Sequence, residues 1–459
     1  MSIVCACTFA PYLIYFLAIL VAGVAFTSCN DDDPCDNCPA GTECVNDECV
    51  VIDPCDGVTC DPNEICVNGD CVELANQDII EVTSNISEDV TWVSGKCYIL
   101  TSRIAVESGA TLTIEPGVVV KGEAGTGANA TALLVARGGK LLAEGTAEAP
   151  IIFTSIADEI MPGQIESPNL DLDIDGLWGG LIVLGNAPIS ADASAVQIEG
   201  IPPSDQNGLY GGSDPADNSG VIKYVSVRHG GANIGDGNEI NGITLGGVGS
   251  GTVIEYVEVV SNQDDGIECF GGTVNISNAL VWGAGDDLYD MDQAYSGTID
   301  NFVAILGANS DHGMELDGPE GAGTGSFTLR NGSLKGNLDT DNGEYADLRD
   351  GVTCTLENLY FTNFKEESDV ELDNLGVSDN WANGSIVFSN LEFNVSHLSA
   401  GNTTVEAIFV DKSGEREAEL DAAAANFAKT VNAKGSVGAN TDAFANWSLA
   451  AAKGELSGL

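Results

Sequence analysis

The chain has 459 residues, 70 of them Asp or Glu against 16 Lys or Arg, for a formal net charge of -54. That balance excludes nucleic acid as a partner, because no basic stripe exists to neutralise phosphate, and it fits metal ions or neutral and cationic surfaces. A hydrophobic fraction of 44% still supports a folded chain, and 56 glycines among runs of Val, Ile and Thr predict many short strands and tight corners.

Residues 1–28, MSIVCACTFAPYLIYFLAILVAGVAFTS, carry no charge and contain an apolar run from Phe9 to Phe26. They end at Cys29, which is followed by Asn30, Asp31, Asp32 and Asp33. The pattern resembles a bacterial lipoprotein signal peptide with Cys29 as the lipidated residue. The acidic run resembles the surface-export signal of Bacteroidota-type outer-membrane lipoproteins. An uncleaved membrane anchor is the alternative, since about 18 apolar residues are borderline for spanning a bilayer. Either way the rest of the chain is expected outside the cytoplasm, and the lipid-anchored form is expected at the outer membrane and surface-exposed.

Residues 29–75 continue with CDNCPAGTECVNDEC, giving Cys35, Cys38, Cys44 and Cys49, and CDGVTCDPNEICVNGDC, giving Cys55, Cys60, Cys66 and Cys71. The last two gaps of the two units match. The pair resembles tandem half-EGF-like modules. An even count in an exported chain favours disulfides over zinc, with the pairing left open by the spacing. A stiff spacer is the expected role. Cys97, Cys269 and Cys354 are left over and are expected to be buried thiols.

From about residue 100 a glycine followed by an alternating run recurs: GVIKYVSV from Gly220, GTVIEYVEVV from Gly251, GTVNISNALV from Gly272 and GTIDNFVAIL from Gly297. GSFTLRNGSL from Gly325, GVTCTLENLYF from Gly351 and GSIVFSNLEF from Gly384 continue it, at spacings of 21 to 33 residues. Alternation means a strand with one face inside, and recurrence at this period without crossover helices means a solenoid. The expected fold is all-β, a right-handed parallel β-helix over 76–410. Roughly a dozen coils at about 4.8 Å would make a rod on the order of 60 Å long. Residues 415–431, EREAELDAAAANFAKTV, place Leu420, Ala424, Phe427, Ala428 and Val431 at helical spacing. That helix and NWSLAAAKGEL after it predict a helical cap over 411–459. The segment before residue 100, with Trp92, is expected to cover the other end.

ESGATLTIEPGVVVKG, ARGGKLLAEGTAEAPIIFTS, GLWGGLIVLGNAPI, IKYVSVRHGG and the long phrase from Asp264 to Gly307 together resemble a family of exported bacterial right-handed β-helix proteins, related in fold to the pectin lyase superfamily. The resemblance covers roughly 80–455. It implies fold and export, and no particular activity.

NQDDGIECFG (262–271), AGDDLYDMDQ (284–293) and NSDHGMELDG (309–318) superpose residue for residue. Asp264, Asp286 and Asp311 make one column; Asp265, Asp287 and His312 a second; Glu268, Asp290 and Glu315 a third; Asp292 and Asp317 a fourth. DNGEYAD adds Asp341, Glu344 and Asp347 more loosely. Stacked carboxylates one coil apart repel by about 1 kcal/mol even in water, and no Lys or Arg lies between His229 and Arg330 to relieve them. Three remedies are open: raised carboxyl pKa values, side chains that face solvent or cap backbone amides, or a bound dication. Calcium suits the ladder, with Asp264, Glu268, Asp286, Asp290, Asp311, Glu315 and Asp317 as ligands. If the face is catalytic, Asp286, Asp287, Asp311, His312 and Glu315 are the candidates for polysaccharide hydrolysis or lyase chemistry. GDD and DHG are faintly similar to phrases of the polygalacturonase group, but that group's basic substrate-binding pair has no visible counterpart, and Arg349 lies one loose repeat away.

DLDIDG (171–176) copies the start of an EF-hand loop but has Ile182 where the twelfth-position Glu belongs, so a partial calcium loop and an acidic turn stay open. His229 and His397 read as structural. Trp178, Trp282, Tyr289 and Tyr295 read as core more than as a sugar-stacking surface. The function expected from these features is a surface binding or structural role, adhesion or glycan capture, with other surface proteins as further partners. A glycoside hydrolase or polyuronide lyase is the alternative.

Overall fold

The computed structural model describes residues 79–459 apart from 126, 234–238, 341–342 and 399–402, together with four short strands nearer the N-terminus. The chain divides into two units, Met1–Ala75 and Asn76–Leu459. In the first, Thr42–Val45 pairs with Glu48–Val51 and Glu64–Val67 with Asp70–Glu73, both antiparallel, placing Cys44 opposite Cys49 and Cys66 opposite Cys71. The expected leader, Cys29, Cys35, Cys38, Cys55 and Cys60 lie outside the described residues.

The second unit is a right-handed parallel β-helix. Each glycine sentence runs along two of its faces and the short strand that follows forms the third. Gly220–Arg228 shows how the first two faces join. Its first half pairs with Lys140–Glu144 and its second with Ile151–Ser155, so two separate strands below become one bent strand above. The bend is a single left-handed residue, repeated at Tyr224, Tyr256, Asn278, Asn301, Asn331, Asn358 and Asn390 with φ between 49° and 59°. Asparagine tolerates that conformation best among residues with a side chain. Stacking adds a second reason for it: Asn301 Nδ2 donates to Asn278 Oδ1 at 2.7 Å, Asn358 to Asn331 at 3.1 Å and Asn390 to Asn358 at 2.7 Å. Where the column begins with tyrosine, Tyr224 and Tyr256 stack at 4.4 Å instead.

The third face is a ten-stranded parallel sheet from Ile104–Val106 to Phe409–Asp411. At about 4.8 Å per strand it is about 43 Å long, shorter than a dozen coils would give. Inward side chains form one continuous core from Ile86 to Ala428, including a Phe361–Phe393 stack at 4.6 Å. Trp92 belongs to that core, stacked on Tyr98 at 4.7 Å. Residues 79–92 are therefore the opening coil and not a cover laid over it, because Ile79–Val82 and Val90–Trp92 pair in parallel with the next coil.

Two additions clothe the outside. The excursion between Leu184 and Gly220 lays Ile198, Ile201 and Tyr210 over Leu134, Ile182, Leu184 and Phe270, covering the N-terminal part of the third face. The C-terminal segment departs from the expected cap. Helix is confined to Glu417–Ala424 and the short turns Thr441–Phe444 and Leu449–Ala452, and Ala428–Val431 returns to the sheet beside Leu391–Asn394. Residues 437–459 then run back along the flank, where Phe444, Trp447, Ala450 and Leu459 bury Leu280, Val303 and Ile305. Helical spacing predicted an apolar stripe but not its docking place. The fully buried Glu258 carboxylate accepts from the amides of Leu449 and Ala450, both at 3.0 Å, and fixes that place. Among the described residues no helix is long and apolar enough to cross a membrane.

Candidate functional site

Beyond the covered part, the third face turns acidic. Strand register sets Thr244, Glu268, Asp290, Glu315, Asp347 and Glu371 side by side in one outward column. They point outward because their strand neighbours Leu245, Ile267, Cys269, Tyr289, Met291, Leu316, Ala346 and Leu348 fill the core. The superposition expected from sequence thus appears as a physical ladder, two coils longer than the three strict copies. Asp341 lies outside the described residues.

The turns entering these strands bring the other columns alongside. Asp265 Oδ1 accepts from the amide of Asp287 at 2.9 Å, and Asp287 Oδ1 accepts from the amide of His312 at 2.7 Å. One oxygen of each therefore caps the next coil. Asp264, Asp286 and Asp311 are linked through backbone, Gly285 N to Asp264 O at 3.2 Å and Asp311 N to Asp286 O at 2.9 Å. Three sets hold potential ligand atoms within 4.8 Å of one another: Asp265, Glu268 and Asp290; Asp264, Asp265 and Asp286; Asp287, His312 and Glu315.

The structure corrects the expectation that no cation stands beside the ladder. Arg349 binds Asp317 with both Nε and Nη2, at 2.9 and 3.0 Å, and also contacts Glu315. Lys412 reaches Asp369 at 3.3 Å and Glu371 at 2.6 Å. Sequence distance hides such pairs, because in a solenoid the next coil lies only about 4.8 Å away. Both cations serve the C-terminal end. Among the described residues no ion pair involves Asp264, Asp265, Glu268 or Asp290.

Uncompensated burial raises the carboxyl pKa values at the other end. Desolvation, then neighbouring carboxylates, pushes Asp264 up to about 9 and holds Glu268 and Asp290 well above the carboxylate range. Desolvation does the same to Asp265 and Asp287. Asp292 is raised to about 7, and so is Glu199, which the excursion brings into contact with Asn241 and Glu268.

Unused oxygens gather there as well. Asn241, fully buried, gives its Nδ2 to Glu268 Oε2, yet its Oδ1 has no partner. Thr244 Oγ1, 2% exposed and next to Glu268 in register, and Asp290 Oδ1 are also unpartnered. An orphaned buried acceptor costs about 1–3 kcal/mol. Asp265, Glu268, Asp290, Asn241 and Thr244 make an all-oxygen set of the kind calcium takes. Sequence reasoning missed Glu199, Asn241 and Thr244, which come from segments without the acidic phrase.

Other candidates are not brought together. In DLDIDG, Asp171 and Asp173 are exposed, and the Ile174 carbonyl contacts His229 Nδ1 at 2.6 Å. His397 Nε2 contacts the Phe364 carbonyl at 2.6 Å. Trp178, Tyr289 and Tyr295 are fully buried and Trp282 packs under the C-terminal segment, leaving none of the four as a sugar platform. Cys97, Cys269 and Cys354 are free and buried.

A family model described as pectate-lyase like beta helix domain matches residues 84–450. No curated protein and no solved structure matches the chain.

Proposed function

We propose, on the premise that the chain belongs to the pectate-lyase like beta helix family, that it captures acidic glycans at the cell surface through calcium held on the acidic face. The observation that carries this reading is the uncompensated end of the ladder. Asp265, Glu268 and Asp290 crowd together beside the unpartnered oxygens of Asn241 and Thr244. Calcium takes about six to eight oxygens in flexible geometry and offsets the repulsion that burial otherwise meets by protonation. A face this acidic repels uronate sugars unless a dication lies between, so one ion serves both stability and binding.

The presentation follows from the N-terminal pattern. A lipid on Cys29 anchors the chain in the outer membrane, and two half-EGF-like modules, with disulfides among Cys35, Cys38, Cys44, Cys49, Cys55, Cys60, Cys66 and Cys71, hold the β-helix off the surface.

The raised carboxyls favour the second reading, a glycoside hydrolase, because Asp264 at about 9 retains a proton for a leaving group at neutral pH. Lyase chemistry fits less well. Arg349 and Lys412 are the cations at the ladder among the described residues. The bidentate bond to Asp317 raises the pKa of the first, and the Glu371 and Asp369 carboxylates raise that of the second against desolvation, which holds both protons against use as a base.

Calorimetric titration of uronic-acid oligosaccharides, with calcium and with chelator, tests the proposal when paired with an assay for newly formed chain ends. Binding with calcium alone and no cleavage is expected. New chain ends would transfer the site to the hydrolase reading, and absence of binding in both conditions would refute glycan capture.

A further inference from the structure

The third ligand set differs in kind from the other two because it contains an imidazole. We infer that Asp287, His312 and Glu315 form a separate site for a transition-metal dication, zinc or a zinc-like ion, beside the proposed calcium site. His312 Nδ1 lies 2.8 Å from Asp287 Oδ1 and 3.6 Å from Glu315 Oε2. Ligand atoms bonded to one such ion at about 2.0–2.1 Å stand about 3.0 Å apart in octahedral and about 3.4 Å apart in tetrahedral geometry. The two observed spacings bracket those values, and all three ligand atoms lie within 4.8 Å of one another.

Both carboxylates are already oriented by outer partners. The Asp287 oxygen nearest the imidazole also accepts the His312 amide at 2.7 Å. On Glu315, Arg349 takes Oε1 and leaves Oε2 facing the imidazole. Such support is what fixes the first ligands of a metal centre. The side chains are 4%, 15% and 13% exposed for Asp287, His312 and Glu315, sheltered yet reachable from solvent.

A further carboxylate keeps one oxygen free while its other lies 4.0 Å from Arg349 Nε. Asp347, next to Glu315 in register and 9% exposed, leaves its Oδ1 without a hydrogen bond. Its carboxyl lies close enough to His312 for the imidazole to act on it electrostatically. Two carboxylates and a neutral imidazole balance a dication, and Asp347 offers a fourth ligand. Nitrogen with oxygen favours zinc and its neighbours, whereas calcium takes oxygen alone. The two sites thus select different ions although Asp290 and Glu315 are adjacent in the column.

The test is calorimetric titration of the full chain with zinc chloride under saturating calcium, comparing wild type with His312→Gln. The difference between the two isolates this site from the cysteines of the first unit. Zinc affinity is expected to fall by at least about tenfold in His312→Gln, a loss that even outer partners of zinc ligands produce, while the calcium-dependent rise in melting midpoint stays unchanged. Asp290→Asn should do the reverse, keeping zinc and losing calcium. If His312→Gln does not fold, Glu315→Gln, which leaves the His312–Asp287 contact in place, carries the same expectation. Equal zinc affinity in wild type and variant, or displacement of zinc by calcium, would overturn the assignment. A failed calcium response with zinc binding intact would sink only the calcium reading.

Discussion

Asp290→Asn separates the two terms that act on the acidic face. Buried between Glu268 and Glu315, Asp290 keeps its proton well above the usual carboxylate range, through desolvation and then the charges of Asp265, Glu315 and Asp292. Without metal near pH 4 it is a neutral acid in the folded chain and only half ionised in the unfolded one, and the amide is close to isosteric, so the midpoint should move by no more than about 1 °C. A carboxyl whose folded pKa is raised contributes stability that is complete below its unfolded value of about 4 and is lost as pH rises through the folded one. For this face the window reaches from about 7 at Asp292, Glu199 and Asp347 to about 9 at Asp264.

At pH 9 the unfolded wild type is ionised at Asp290, so folding must either take up a proton there or bring that charge beside its neighbours, and the variant does neither. One pair about 5 Å apart repels by about 3 kcal/mol at an effective dielectric of 20. A unit of this size has an unfolding entropy of about 0.8 kcal/mol/K, so the metal-free variant should melt about 4 °C above wild type at pH 9. Calcium works in the opposite sense. At a hundred times its Kd it adds about 2.7 kcal/mol, or about 3 °C, to wild type and none to the variant. Scanning calorimetry at pH 4 and 9, with calcium and with chelator, reads all four values. A wild-type midpoint that stays flat across that range without metal, or a calcium increment that survives in the variant, would refute the reasoning.

Glu258→Ala should destabilise by about 3–5 kcal/mol, since it leaves the fully buried Arg228 without the carboxylate 3.7 Å away and removes the seat of the Leu449 and Ala450 amides. A urea midpoint measures the loss, and limited proteolysis should show residues 437–459 released first. Asn358→Ala should cost about 2 kcal/mol, from a left-handed φ of 55° and two broken ladder bonds, and Asn358→Gly about half that, because glycine keeps the conformation. Gly332→Ala should cost about 1–3 kcal/mol in the same assay, because its Cβ would stand 2.3 Å from the Phe302 ring.

The repeat was legible because a strand that must bury one face every coil repeats its alternation, and Gly220, Gly251 and Gly272 mark the starts. The acidic columns were legible for the same reason, three copies of one phrase stacking in register. What lies across coils was not. Arg349 meets Asp317 at 2.9 Å from 32 residues away, and Glu199 meets Glu268 from an excursion of irregular length. The flank that receives the C-terminal segment did leave a trace. Ala279, Leu280, Val281 and Trp282 are consecutive apolar residues where one-sided burial would alternate, and such a run means both faces are covered.

That distinction also bears on why the acidic face exists. A β-helix needs only its inward residues for stability, and the outer surface of the third face is free to vary. Over its first coils that surface is apolar and covered, by Ile198, Ile201 and Tyr210 on Leu134, Ile182 and Leu184. From Glu268 onward it becomes a column of carboxylates whose spacing the fold dictates and whose repulsion any neutral substitution would relieve. Arg349 and Lys412 offset that repulsion at one end, so the fold has cations to place there. At the other end Asn241, Thr244 and Asp290 keep oxygens that no side chain among the described residues satisfies. Screening by solvent would require exposure, and Asn241 and Thr244 are 0% and 2% exposed. A dication supplied from solution meets both requirements at once, and at this end no Lys or Arg among the described residues competes with it for Asp265, Glu268 and Asp290.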